Sequence, residues 1–144
     1  MTERCEIPLV NPGGEQIRAL LRSARRIAVV GHSDDPDRDS HRVGRYLASA
    51  GYEVFAVNPN ARSTAALTFY PDLASVPGPV DIVDIFRRPG AIPAIVDAAI
   101  RLGAGAVWMQ EGLAHNASAV KARAAGLAVV MSRCIMKDHR ALAV

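Results

Sequence analysis

The sequence has little that would form a disulfide framework, a metal site or a membrane span. Its two cysteines, Cys5 and Cys134, form neither a C-x-x-C pair nor a zinc-ligand pattern. The longest apolar runs are strand-sized, and the first ten residues lack the basic and apolar regions of a secretory signal. We therefore expect a reduced, cytoplasmic protein without a membrane partner.

The positive charge of the chain is small and almost entirely guanidinium. The formal net charge is +3, and only Lys121 and Lys137 among the 17 basic residues are lysines. No run of Lys or Arg exceeds two residues, and aromatic residues do not interleave with them, which argues against nucleic-acid binding. Arginine suits bidentate phosphate contacts, so this charge is compatible with a small polyanionic ligand.

Apolar stretches of strand length alternate with segments of helical periodicity, which predicts a single α/β domain over residues 1–144. We expect an N-terminal helix at about 14–23 and a core at about 26–142. The fold class is three-layer and Rossmann-like, with a five-stranded parallel sheet in the order 3-2-1-4-5 and helices on both faces. The predicted strands are 26–31, 53–58, 81–86, 106–109 and 127–131, and the further helices are 40–50, 89–102 and 117–125.

Local signals add detail to this outline. Ser40 and Asn116 are typical helix caps, and Asp72 is placed to cap one helical turn. The stretch 67–70 is a candidate short extended piece. We interpret the last thirteen residues, six of which are polar, as a segment without a regular element.

The turn after the first predicted strand is a candidate anion site. The apolar run ends at Gly31, and His32 and Ser33 lead through a polar turn to a helix start. Strand, turn and helix in this order bind phosphate, because the glycine admits a ligand and the helix N-terminus offers free N–H groups. The second and third glycines of the dinucleotide fingerprint are absent.

Polar residues gather after all five predicted strands, whereas the opposite strand ends are plain glycine-containing connections. Ligands of open α/β sheets bind at the carboxyl edge of the strands. The second strand ends at Asn58-Pro59, with Arg62 nearby, and lacks the acidic residue that binds the ribose of NAD. This favours a ligand with a phosphorylated ribose, either NADP or coenzyme A.

A series of motifs, in order along the chain, resembles the small stand-alone CoA-binding proteins. These motifs are G-x-S, P-x-R-x-S-x-R-V, R-Y-L, G-Y-x-V, V-N-P, V-D-I-V-D-I-F-R-R-P, V-W-M-Q-E-G, A-x-x-A-G-L-x-V-V-M-x-R-C and H-R-x-L. The domain of that family is similar to the N-terminal CoA-binding domain of the succinyl-CoA synthetase alpha subunit. The resemblance covers about residues 26–142. His32 and the Asp34-Asp35 pair depart from the commonest residues of its first turn.

The resemblance implies a Rossmann-like fold whose strand ends bind coenzyme A or an acyl-CoA. The positions implied to bind the cofactor are Gly31, His32, Ser33, Arg38, Ser40, Arg42, Val57, Asn58, Pro59, Phe86, Arg87, Arg88, Met109, Gln110, Glu111 and Gly112. The phosphohistidine domain of the synthetases has no counterpart in this chain, so their ligase chemistry is not carried over.

We expect a CoA-binding function without catalysis, in a monomer or homodimer, and assign no catalytic or metal-binding residue. The alternative is an NADP-binding enzyme or redox-sensing module on the same fold. A third hypothesis is a CoA-handling enzyme completed by an acyl-CoA ligase partner. Cys134 follows the last predicted strand beside Arg133, whose charge would favour the thiolate, and is a redox candidate.

Overall fold

A parallel sheet of six strands forms the centre of the molecule in the computed structural model, which describes residues 6–144. The strand order is β3-β2-β1-β4-β5-β6. The strands are β1 Arg26–Val30, β2 Glu53–Val57, β3 Phe69–Tyr70, β4 Ile82–Ile85, β5 Ala106–Met109 and β6 Ala128–Val130. The α-helices are α1 Gly14–Ser23, α2 Asp39–Ser49, α3 Ile92–Leu102, α4 Asn116–Ala124 and α5 Ile135–Ala141.

The predicted Rossmann-like fold is confirmed, and the strand count is corrected from five to six. The additional strand, Phe69–Tyr70, falls in the stretch expected to be extended and pairs with β2. It is the third strand along the chain and lies at the edge of the sheet. The strand predicted as the third, at 81–86, is therefore the fourth, β4, and lies beside β1. The order therefore reverses between β1 and β4, which is where open α/β sheets form their ligand crevice.

Apolar side chains cover both faces of the sheet because helices pack on both. Helices α1, α2 and α5 cover one face, where Ile17, Leu47 and Ile135 are almost fully buried. Helices α3 and α4 cover the other, through residues such as Val96 and Ala122. Continuous burial on two faces is why β1 is apolar at nearly every position.

Two predicted helix caps differ from the structure, and one is confirmed. Arg38 is the N-cap of α2, because the Ser40 hydroxyl is used by the preceding turn. His115 is the N-cap of α4 and accepts from Ser118 N, while Asn116 bonds Ile7 and Leu9 of the N-terminal segment. Asp72 caps a 3-10 turn over Leu73–Ser75, as predicted.

The outer edge of β6 is met by the N-terminal segment. The side-chain oxygen of Asn11 accepts from Met131 N at 2.8 Å, and its amide nitrogen donates to Met131 O at 2.8 Å. Arg123 of α4 donates to Val10 O at 3.0 Å. These contacts fix the segment before α1 against the end of the sheet.

Candidate functional site

A cleft of about 1000 Å³ opens at the carboxyl ends of β1, β2, β4 and β5. The start of α2 and the start of α5 form its walls, so its position matches the crevice expected where the strand order reverses. Its lining residues are Gly31, Ser33, Asp37, Arg38, Asp39, Ser40, Arg42, Val43, Asn58, Phe86, Arg87, Arg88, Pro89, Gln110, Glu111, Leu113, Cys134, Met136 and Lys137.

The turn after β1 requires glycine at position 31. Gly31 has a φ of +90°, and its N–H donates to Val57 O at 2.8 Å. A Cβ at this position would lie 2.1 Å from Phe86 O, so any side chain would collide with the backbone that follows β4. The close approach brings the ends of β1 and β4 together at the cleft.

Hydroxyl groups set the path of the chain beyond Gly31. Ser33 N donates to Ser40 Oγ at 2.9 Å, and Asp35 N donates to Ser33 Oγ at 3.0 Å. The Asp35 carboxylate accepts from Asp37 N at 2.9 Å and does not line the cleft. Asp34 does not line it either, so these two acidic residues do not face a ligand bound there.

His32 lies beneath the turn instead of in the cleft. Its side chain is buried, and both its Nδ1 and His41 Nδ1 are within hydrogen-bond distance of Ser33 O, at 2.8 and 2.9 Å. Gly44 of α2 makes room for the ring, since a Cβ there would lie 2.4 Å from His32 Nε2. Burial lowers the pKa of His32, which keeps the ring neutral at neutral pH.

The cleft carries cationic groups in two different states. Arg38, Arg87 and Arg88 have no ion pair and no side-chain hydrogen bond to any other residue within 6–144. Arg42 pairs with Asp39, and Lys137 Nζ lies 2.8 Å from Glu111 Oε1, both at exposed positions. Exposed ion pairs are weak, about 0–1 kcal/mol, so an anionic ligand can displace the carboxylates.

The floor of the cleft contains a buried carboxyl group next to a lining amide. Asp84 of β4 is fully buried, and Gln110, which follows β5, is 5% exposed. Gln110 Nε2 donates to Asp84 Oδ1 at 2.5 Å. Burial raises the pKa of Asp84 to about 7.

One wall of the cleft is helix α5, which was not predicted from the sequence. Cys134 is its N-cap and is buried, and Lys137 projects from its first turn. The Arg133 guanidinium is committed to Asp138, with distances of 2.6 and 2.8 Å. The signal for this helix is the apolar spacing of Ile135, Met136 and Leu142, which is short and interrupted by charge.

Most of the predicted binding positions line the cleft, and five do not. Three of the five are buried: Val57 and Met109 at the ends of their strands, and His32 beneath the turn after β1. The other two, Pro59 and Gly112, are exposed beside the cleft. Arg62, which supported a phosphorylated ribose, is exposed and outside the lining. The lining residues not predicted are Asp37, Asp39, Val43, Pro89, Leu113, Met136 and Lys137.

The fold and the cleft define an open α/β protein of the kind that binds ligands at the carboxyl edge of a parallel sheet. The chain belongs to the CoA binding domain family, whose model matches residues 25–140. This confirms the resemblance found in the sequence motifs.

One relative in sequence and two solved structures are similar to this chain. The uncharacterized protein YneT of Bacillus subtilis is 36% identical over 129 residues, which is 90% of this chain and 96% of the relative. A hypothetical protein from Pyrococcus horikoshii has a TM-score of 0.89 and 35% identity, with both chains fully covered. An acetyl-coenzyme A synthetase of Ca. Korarchaeum cryptofilum, in complex with phosphate and ADP, has a TM-score of 0.64 and 25% identity; the match covers 76% of this chain and 26% of the synthetase.

No helix within residues 6–144 has the length and apolar character needed to cross a membrane.

Proposed function

We propose that the protein binds coenzyme A or an acyl-CoA in the cleft at the carboxyl edge of the sheet and holds it without catalysing a reaction. The observation that carries this proposal is the set of free guanidinium groups at Arg38, Arg87 and Arg88. Coenzyme A carries a pyrophosphate and a ribose phosphate, and several arginines are needed to neutralise them.

The residues of the cleft fit this ligand. Gly31 lines the cleft, and its missing Cβ leaves room for the Phe86 backbone, which brings the ends of β1 and β4 together beside the ligand. Arg42 and Lys137 each have a carboxylate partner that a phosphate can replace. When bound, coenzyme A would supply a thiol for acyl groups, while the protein's residues bind and orient its anionic part.

The relatives support the same ligand. The family is described as a CoA binding domain, and the synthetase from Ca. Korarchaeum cryptofilum is named for acetyl-coenzyme A. Arg62, which supported a phosphorylated ribose in either NADP or coenzyme A, does not line the cleft and does not distinguish the two ligands. The proposed site is made of the predicted residues that line the cleft, with Lys137 added.

Isothermal titration calorimetry with coenzyme A, acetyl-CoA, NADP and NAD tests the proposal. We expect coenzyme A and acetyl-CoA to bind, and the double variant Arg87→Gln/Arg88→Gln to bind at least tenfold more weakly. The matched control is Arg101→Gln on α3, an arginine outside the cleft. Binding of NADP or NAD with no heat from coenzyme A would overturn the proposal.

A further inference from the structure

The buried carboxyl group under the cleft is in an apolar layer. In the sheet register Asp84 lies between Val29 of β1 and Trp108 of β5, and both of these side chains are fully buried. Side chains alternate along a strand, so Asp84 shares the face of Ile82, which packs beneath α1, α2 and α5. Burying a carboxyl group in an apolar layer destabilises the fold unless the group is hydrogen-bonded. The hydrogen-bond partner of Asp84 is therefore a clue to its role.

In the described part of the chain, Gln110 is the one hydrogen-bond partner of the Asp84 side chain. Gln110 Nε2 donates to Oδ1 at 2.5 Å, whereas Oδ2 is buried and has no partner among residues 6–144. An ionised carboxylate only accepts hydrogen bonds, so it must face the nitrogen end of the Gln110 amide and not the oxygen end. The amide therefore has one orientation above pH 7, where Asp84 is largely ionised.

This orientation determines what Gln110 offers to a ligand. Gln110 lines the cleft, and its Oε1 makes no hydrogen bond to another residue within 6–144. The arginine and lysine side chains of the same cleft are hydrogen-bond donors only. Gln110 Oε1 is thus an acceptor at the floor of a cleft whose rim is rich in donors.

We propose that Asp84 is a positioning residue: it holds Gln110 with Oε1 towards the cleft, and the floor therefore selects a neutral N–H or O–H donor of the ligand. This inference rests on the proposed function, because it concerns the same bound molecule. Coenzyme A contains amide N–H and hydroxyl groups in addition to its phosphates. A phosphate oxygen at the floor would face another acceptor and is disfavoured there.

The orientation is tested first in the free protein by NMR at pH 8. The Gln110 side-chain amide signals, identified by their loss in Gln110→Met, are expected to be shifted downfield and protected from solvent exchange. Asp84→Leu has a similar volume and removes the acceptor, so the Gln110 amide loses the partner that fixes its orientation. We expect the downfield shift to disappear in Asp84→Leu and to persist in the surface control Asp97→Leu. Unchanged Gln110 signals in Asp84→Leu would overturn the inference.

The consequence for the ligand is tested by a double-mutant cycle with coenzyme A. Asp84→Leu and Gln110→Met are each expected to weaken binding about tenfold, the loss of one hydrogen bond. If Asp84 acts through Gln110, the double variant binds no more weakly than Gln110→Met alone. A purely structural role of Asp84 predicts a further loss in the double variant, and that result would contradict the inference.

The two proposals fail in different ways. If the wild-type protein gives no heat with coenzyme A, the proposed function is wrong, while the NMR experiment still decides whether Asp84 orients Gln110. If the wild type binds coenzyme A and neither variant changes the affinity, the inference alone is wrong. Circular dichroism and thermal unfolding of every variant confirm that the fold is retained.

Discussion

Replacing Asp84 with asparagine should make the protein's stability less dependent on pH. Asp84 is fully buried, and burial raises its pKa from 3.8 to about 7. Between pH 4 and 7 the folded state therefore keeps a proton that the unfolded state has released. The free energy of unfolding must fall as the pH rises through this window, and the loss is complete above it.

The size of the effect follows from the pKa shift. At about 1.4 kcal/mol per pKa unit, a rise from 3.8 to about 7 costs the folded protein on the order of 4 kcal/mol at pH 8. This is a large fraction of the roughly 5–15 kcal/mol that stabilises a small domain. Asp84→Asn removes the titration and keeps the shape of the side chain.

Urea denaturation of the wild type and Asp84→Asn at several pH values between 4 and 8 measures the difference. We expect the variant's free energy of unfolding, minus that of the wild type, to increase by about 4 kcal/mol from pH 4 to pH 8. His32, whose pKa burial lowers, acts in the opposite direction but is common to both proteins and cancels in the difference.

The control for this experiment is Asp97→Asn, which removes an exposed carboxylate paired with Lys121 on the helical surface. An exposed ion pair contributes about 0–1 kcal/mol, so its curve should stay close to the wild type. If the curves of Asp84→Asn and the wild type run parallel over the whole range, the reasoning from burial is refuted.

Three further predictions concern the cleft and its supports. Gly44→Ala should lower the free energy of unfolding, measured by urea denaturation, by about 1–3 kcal/mol, because the added Cβ would overlap His32 Nε2; this outweighs the better helix propensity of alanine. Adding His32→Ala should restore part of the lost stability. A Gly44→Ala protein more stable than the wild type would contradict the close packing of Gly44 on His32. Added salt should weaken CoA binding through screening, and the calorimetric salt dependence should be shallower in Arg87→Gln/Arg88→Gln; equal dependences would argue against phosphate contacts. Cys134, which lines the cleft, should undergo thiol–disulfide exchange with CoA disulfide: its thiolate attacks one sulfur, a protein–CoA disulfide forms, the original S–S bond breaks and one CoA thiolate leaves. Peptide mass spectrometry should find the CoA adduct on Cys134 and find none at this position in Cys134→Ser. An unmodified Cys134 would refute the exchange.

The strands and most of the cleft were predictable because burial on two faces leaves a strong mark on the sequence. Val29 and Val107, in strands covered by helices, fall in apolar runs that end abruptly at glycine or at a polar residue. The ends of parallel strands meet at one edge, so Ser33, Arg88 and Gln110 could be brought together without coordinates.

What the sequence did not predict depends on contacts between distant residues. The burial of His32 depends on Gly44, since the absence of a side chain one helical turn into α2 is what admits the ring. Helix α5 has few apolar positions, and Ile135 is buried only because the sheet and α1 are already in place. Asp84 lies within β4, and nothing in the local sequence predicts that its side chain bonds Gln110, 26 residues further along the chain.

The contact between Asn11 and Met131 has a consequence for how molecules of this protein behave towards one another. An edge strand with open N–H and C=O groups can pair with the edge of another molecule and so begin an aggregate. The amide of Asn11 bonds both the N–H and the C=O of Met131, the residue directly after β6, so neither group is open to a strand of another molecule. A single side chain, placed before the first helix, thus blocks intermolecular pairing at the end of the last strand.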